Sequence, residues 1–101
     1  MAVLVLFHGV GIKKADYETL RREVGWERHH AKGGIFHAAG FDEHGDVHVT
    51  DVWESQEHLD AFVGMRLMPV MQKHNMTPPK VSVFPAHNIN ALPAVEEFIL
   101  R

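Results

Sequence analysis

The order of apolar patterns along the chain predicts an α+β fold of the ferredoxin-like type, with the element order βαββαβ and a short C-terminal helix. Three observations support this prediction. Four short segments have the apolar patterns of strands, two segments repeat their apolar residues at the helical period, and a turn-rich stretch joins the two middle strands. With 101 residues and 46% hydrophobic content, the chain is expected to form a single domain, residues 1–101.

The first strand is predicted at Val3 to His8, where apolar residues occupy both faces. A helix is predicted over Ala15 to Val24, because Tyr17, Leu20 and Val24 fall on one face at helical spacing. Its acids come early and its arginines come late, which suits the helix dipole. Gly25 is a typical helix stop.

The second strand is predicted at Ile35 to Phe41 and the third at Val47 to Glu54. Residues 42–46 between them are rich in Asp, Glu and Gly, which are turn-forming residues. The two strands should therefore form an antiparallel hairpin.

A long amphipathic helix is predicted from Gln56 to Gln72, with Ser55 as its N-cap. Pro69 falls inside this pattern, where it removes a backbone donor and crowds the carbonyl of Met65. We expect a kink at that point. The helix should lie on one face of the sheet.

The last strand is predicted at Val81 to Pro85 and belongs at a sheet edge, because Pro85 cannot donate to a ladder. A short terminal helix over Pro93 to Leu100 is expected to pack on a neighbour. Two helices cover only one face of the sheet, and roughly 600 Å² of exposed apolar surface is near the limit that monomers tolerate. A second copy should cover the bare face, so that the two sheets close into a barrel.

Charge and composition argue against several partner classes. The net charge is −3 and Lys13-Lys14 is the longest basic run, so neither nucleic acid nor an anionic membrane is expected as a partner. The chain has no cysteine, which excludes disulfides and thiolate metal sites. The apolar stretch from Ala2 to Phe7 lacks the features of a signal peptide, and the expected location is cytoplasmic.

Three segments carry a resemblance to a known family: the strand-to-helix junction Val52 to Ser55, the helix through Phe62, and the run Gly34 to His37. Through them the chain resembles the dimeric α+β barrel superfamily, and within it the antibiotic biosynthesis monooxygenase-like domains. The resemblance covers almost the whole chain. It implies a homodimer with a pocket between the long helix and the sheet, a small hydrophobic or aromatic ligand, and no cofactor.

The resemblance also suggests site residues. Trp53 matches the cofactor-free quinone monooxygenases, whereas the Asn expected at the position of Val49 is missing. Haem-degrading members use an Asn on the first strand, a Trp on the second helix and a His beyond it. The corresponding positions hold His8 or a near neighbour, Phe62, and Gln72 with His74 close by, so neither catalytic set is complete.

His37 is the best candidate for a general base or an orienting hydrogen-bond donor, because it sits in an otherwise apolar strand. A satisfied core histidine is the alternative. If Glu43 pairs with Asp46 across the hairpin turn, His48 lies on the same face as His37. A one-residue bulge would turn His48 to the opposite face.

Trp53 is expected either to line the ligand pocket or to anchor the core. Met65, Met68 and Met71 recur around Pro69, where flexible thioethers either contact a ligand or fill gaps. Asp51 and Glu54 are candidate acid or base groups, although a carboxylate at a strand end is usually a surface residue.

A metal site would need several ligands to converge, and no histidine pair has helix-face spacing. We therefore expect no metal site, although the chain contains 9 histidines, among them His8, His37, His48, His74 and His87.

Two functions remain open. The first is a small oxygenase acting on an aromatic or polyketide-like molecule, with His37 taking the hydroxyl proton while Trp53, Phe62 and Met65 orient the ring. The second is a ligand-binding or accessory dimer without turnover. A histidine-ligated haem, through His74 or His8, is a further alternative.

Overall fold

The computed structural model describes all residues from Met1 to Arg101. Four strands form one antiparallel sheet, and the helices pack on one of its faces, which confirms the predicted ferredoxin-like α+β fold. The elements are β1 (Val3–Gly9), α1 (Lys14–Val24), β2 (Gly34–Phe41), β3 (Val47–Trp53), α2 (Gln56–Phe62), a π-helical turn (Val63–Leu67), α3 (Met68–Lys73), β4 (Lys80–Pro85) and a 3₁₀ helix (Pro93–Phe98). None of these helices is long and apolar enough to span a bilayer.

The sheet has the strand order β2-β3-β1-β4, so β4 lies at an edge as its proline predicted. Side chains alternate between the two faces along each strand. On the helix-covered face, Val3, Val5 and Trp53 form a core with Leu59 and Phe62 of α2. The opposite face carries no helix, and we call it the bare face.

The hairpin between β2 and β3 has a different register from the one assumed for the sequence. His37 lies opposite Asp51, and Gly40 lies opposite His48. His48 therefore points to the bare face while His37 points toward the helices, so the pairing that put both on one face is wrong. The turn is wider than assumed because Asp42 and Asp46 close it with a backbone hydrogen bond from the Asp42 N–H.

The long helix is continuous in sequence from α2 to α3 but changes its winding in the middle. Ser55 caps its start by accepting the N–H of His58, as predicted. Just before Pro69, the Met68 N–H bonds to Val63 O, five residues back. This π-helical turn widens the backbone where the proline would crowd the preceding turn.

Candidate functional site

A cavity of about 90 Å³ lies between the helices and the sheet. The polar groups at its wall belong to Tyr17, Arg21, His37 and Asp51. Most of the remaining lining is apolar and includes Phe7, Leu20, Val24, Trp26, Val49, Phe62, Leu67 and Met71. A few convergent polar groups in an apolar cavity are typical of small-molecule sites.

His37 and Asp51 form a hydrogen-bonded pair at the cavity wall. They lie directly opposite each other on β2 and β3, and His37 Nδ1 is 2.7 Å from Asp51 Oδ1. The other carboxylate oxygen of Asp51 accepts the indole N–H of Trp53 at 3.1 Å. Asp51 is only 3% exposed, so its carboxylate is satisfied by these two donors rather than by water.

The hydroxyl of Tyr17 reaches the second ring nitrogen of His37, with 2.7 Å between Tyr17 Oη and His37 Nε2. An ionised carboxylate only accepts hydrogen bonds, so the contact with Asp51 requires the proton on Nδ1. Nε2 then has a free lone pair and accepts the Tyr17 O–H. The result is a relay in which Tyr17 donates to His37, while His37 and Trp53 both donate to Asp51.

Tyr17 stays protonated over a wide pH range. Burial raises its pKa to about 12, and the negative charge of Glu27 adds to the effect. The phenol is therefore a hydrogen-bond donor at neutral pH. The nearby guanidinium of Arg21 is already paired, because it donates to Glu18 and Glu27 over distances of 2.7 to 3.0 Å.

Trp26 covers the relay on its apolar side. Its ring centroid lies 4.8 Å from that of His37, 5.5 Å from that of Phe62 and 5.8 Å from that of Trp53. These rings cover most of the imidazole, and the His37 side chain is 18% exposed. Electrostatic interactions with Asp51 are stronger in such surroundings than at an open surface.

Some of the predicted site residues meet here. His37 and Phe62 line the cavity. Trp53 is fully buried, at 0% exposure, and acts on the site only through its bond to Asp51. This position combines the two interpretations considered for Trp53, since it packs in the core and also holds a polar group of the cavity.

The other predicted residues lie elsewhere. Met65 is 77% exposed on the π-helical turn, and Met68 packs against the core cluster that contains Met71 but does not line the cavity. His74 follows α3 and bonds to Glu23 at the surface, with 2.5 Å between Nε2 and the carboxylate. His8 points to the bare face. The structure therefore does not bring these four residues together around the cavity, and the two histidines named for a haem lie on opposite sides of the sheet.

Three residues of the site were not identified as a unit from the sequence. In the sequence, Tyr17 is marked only as part of the apolar face of a helix, and Trp26 lies outside every predicted helix and strand. Asp51 carried a usable signal, because it is the one charged residue among the inward-facing positions of β3. A charge at such a position indicates a partner on a neighbouring strand.

No protein-family model matches the sequence, and a search of curated proteins finds no match. Solved structures do match. A candidate antibiotic biosynthesis monooxygenase from Chloroflexus aurantiacus aligns with 89% of this chain and 98% of its own, at a TM-score of 0.64 and 12% identity. SnoaB, a cofactor-independent oxygenase from Streptomyces nogalater, aligns with 91% of this chain and 96% of its own, at a TM-score of 0.60 and 14% identity.

A third match is MhuD, of which a point mutant was crystallised with two manganese protoporphyrin IX molecules per active site. It covers 90% of this chain and 100% of its own, at a TM-score of 0.56 and 13% identity. The fold is thus that of a ferredoxin-like α+β domain. More narrowly, the chain has the fold of the antibiotic biosynthesis monooxygenase-like proteins, as the sequence resemblance predicted.

Proposed function

We propose that this chain is a small-molecule enzyme in which His37 removes a proton from the hydroxyl of an aromatic or polyketide-like substrate. The relay of Tyr17, His37 and Asp51 at the cavity wall carries this proposal. A buried carboxylate that orients an imidazole is the arrangement by which histidine bases are activated in other enzymes. The likeness in fold to SnoaB, a cofactor-independent oxygenase, supports an oxygen-dependent reaction.

The chemistry begins when the substrate hydroxyl takes the place of the Tyr17 hydroxyl at His37 Nε2. The proton moves to Nε2, and the Asp51 carboxylate stabilises the imidazolium that forms. The deprotonated substrate is electron-rich and gives an electron to dioxygen, which is the oxidant. Tyr17 remains protonated and can donate its hydrogen bond to the substrate oxygen.

To hold such a substrate between the helices and the sheet, the cavity must widen. Its volume of about 90 Å³ is smaller than the roughly 150 Å³ of a cavity that binds benzene. Leu67 of the π-helical turn and Met71 of α3 both line it. Flexible methionines and π-helical turns both accommodate rearrangement, so we expect this segment to move when a ligand binds.

Oxygen consumption tests the proposal. Purified protein is mixed with anthrone-like phenols, and uptake is followed for the wild type and for His37→Ala. We expect the rate to fall by roughly 100-fold or more when the base is removed. His30→Gln is the matched control, because His30 is exposed, and it should leave the rate unchanged. Equal uptake by wild type and His37→Ala would contradict the role of His37.

A ligand-binding protein without turnover is the second candidate, and one observation favours it. The base nitrogen of His37 is already occupied by Tyr17, at 2.7 Å, so a ligand must compete with an internal partner. Ligands extracted from the purified protein and identified by mass spectrometry distinguish the two functions. A retained aromatic molecule that the protein binds but does not oxidise would support binding alone.

We also propose that the chain works as a homodimer closed through the bare face. Its solvent-accessible surface is 6869 Å². A compact monomer of 11.4 kDa is expected to expose about 5,800 Å², so the excess is comparable to one side of a standard interface, about 800 Å². One row across the bare face consists of Phe36, Val52, Leu4 and Phe84 on the four adjacent strands.

The C-terminal segment also favours contact with a second copy. Leu92 is 74% exposed, Phe98 78% and Leu100 54% within the single chain. A space of about 680 Å³ lies between this segment, β2 and α1. Large apolar side chains beside an unfilled space are typical of a surface that a partner covers.

A further inference from the structure

A second cluster of polar side chains lies on the bare face, away from the cavity. His8 on β1 and His48 on β3 are directly opposite each other, and their rings stack with centroids 4.2 Å apart. Asp42, directly after the end of β2, points its Oδ2 atom at both rings. This oxygen is 2.8 Å from His48 Nε2 and 3.8 Å from His8 Nε2.

One ring nitrogen of His8, Nε2, makes no hydrogen bond. This atom is also shielded from solvent. The 3.8 Å to Asp42 is too long for a hydrogen bond. Buried polar atoms are nearly always satisfied, so an unpartnered imidazole nitrogen facing a carboxylate is available to bind a cation.

Asp42 is held in position for this role. Its Oδ1 atom accepts the backbone N–H groups of His44 and Asp46, at 2.9 and 3.0 Å. Oδ2 is left facing the two histidines. The neighbouring carboxylate of Asp46 is occupied by Lys13, at 2.7 Å, and does not compete for the same position.

We propose that His8, His48 and Asp42 bind one divalent transition-metal ion of the zinc type. Their ligand atoms all lie within 4.8 Å of one another. Zinc prefers imidazole nitrogen and carboxylate oxygen at about 2.0 to 2.2 Å, so small adjustments of the three side chains complete the site. Three protein ligands leave a fourth position for water or for a group supplied by another molecule.

This site was missed in the sequence because its ligands are distant along the chain and have no motif spacing. His8 and His48 meet only through the pairing of β1 with β3. The site is also independent of the proposed reaction. His37 faces the cavity on the other side of the sheet, so the two can be tested separately.

Metal binding to the full chain provides the test. Chelator-treated protein is titrated with Co²⁺, followed by its visible absorption, and then with Zn²⁺ by calorimetry. We expect one equivalent per chain, and displacement of Co²⁺ by Zn²⁺. His8→Gln and His48→Gln should each weaken Zn²⁺ binding by at least ~100-fold, since each removes one of three protein ligands.

His44→Gln is the matched control, because His44 lies in the adjacent turn with its side chain 75% exposed. This variant should bind Zn²⁺ as tightly as the wild type does, and so should His37→Ala. Circular dichroism checks that each variant is folded. Absence of stoichiometric binding, or equal weakening by His44→Gln and His8→Gln, would overturn the proposal.

Discussion

At the scale of single residues, the site depends on His37 having a different partner at each ring nitrogen. Asp51 fixes the tautomer, and Tyr17 occupies the nitrogen that would act as base. Trp53 holds the second oxygen of the carboxylate, which keeps Asp51 from rotating away. Each of these bonds is made inside the fold, where an unpaired partner costs roughly 1 to 3 kcal/mol.

Tyr17 offers a direct spectroscopic prediction, because it is the only tyrosine in the chain. Its tyrosinate absorbance should titrate with a midpoint of about 12 in the folded protein, since burial disfavours the phenolate and so raises the pKa. An unfolded tyrosine titrates near pH ~10. A midpoint at that lower value in the folded protein would show that Tyr17 is not buried against His37.

The same raised pKa makes stability depend on pH. The unfolded chain loses the Tyr17 proton near pH 10 and the folded chain keeps it to about 12, so the free energy of unfolding should fall as pH rises through this interval. Urea denaturation of wild type and Tyr17→Phe across this range isolates the effect. The stability difference between the two should change with pH only above about 10.

Asp51→Asn tests whether Asp51 acts through His37. We expect a loss of oxygen uptake of roughly 100-fold, because an amide does not stabilise the imidazolium. The free energy of unfolding should fall by about 1 to 3 kcal/mol. The double variant His37→Ala/Asp51→Asn should be no slower than His37→Ala alone. Additive losses would show that Asp51 has a separate role.

At the scale of elements, the sequence predicted the order and approximate bounds of the strands and helices well. Periodicity, Ser55 as a cap and Gly25 as a stop all depend on local physics, and all are confirmed. The site was harder to predict because it depends on register. A change of one residue in the β2/β3 pairing moved His48 to the other face and brought Asp51 to His37.

Replacing glycine by alanine should have opposite effects on stability at two positions. Gly64 lies in the π-helical turn with nothing within 4 Å of an added Cβ, so Gly64→Ala should raise the free energy of unfolding by roughly 0.5 to 1 kcal/mol. Gly33 has a φ of +83°, and an added Cβ would overlap the ring of His58. Gly33→Ala should therefore destabilise. Urea denaturation measures the free energy of unfolding of both variants. A Gly33→Ala variant as stable as the wild type would contradict the tight packing of Gly33 against His58.

At the scale of the whole molecule, the sheet separates two proposed sites. The cavity with His37 lies under the helices, and the cluster of His8, His48 and Asp42 lies on the bare face. The sequence predicted that face as the contact between two copies. Only 15 of the 101 residues are buried in the single chain, which leaves a small core for the domain to be stable alone.

Sedimentation equilibrium at micromolar concentration tests this assembly most directly. We expect about twice the subunit mass of 11.4 kDa for the wild type. Leu6→Glu, which places a charge at the centre of the bare face, should shift the protein toward the single subunit. Ala61→Glu adds the same charge at an exposed position of α2 and should leave the mass unchanged. A folded wild-type chain that sediments as a single subunit would contradict the proposed dimer.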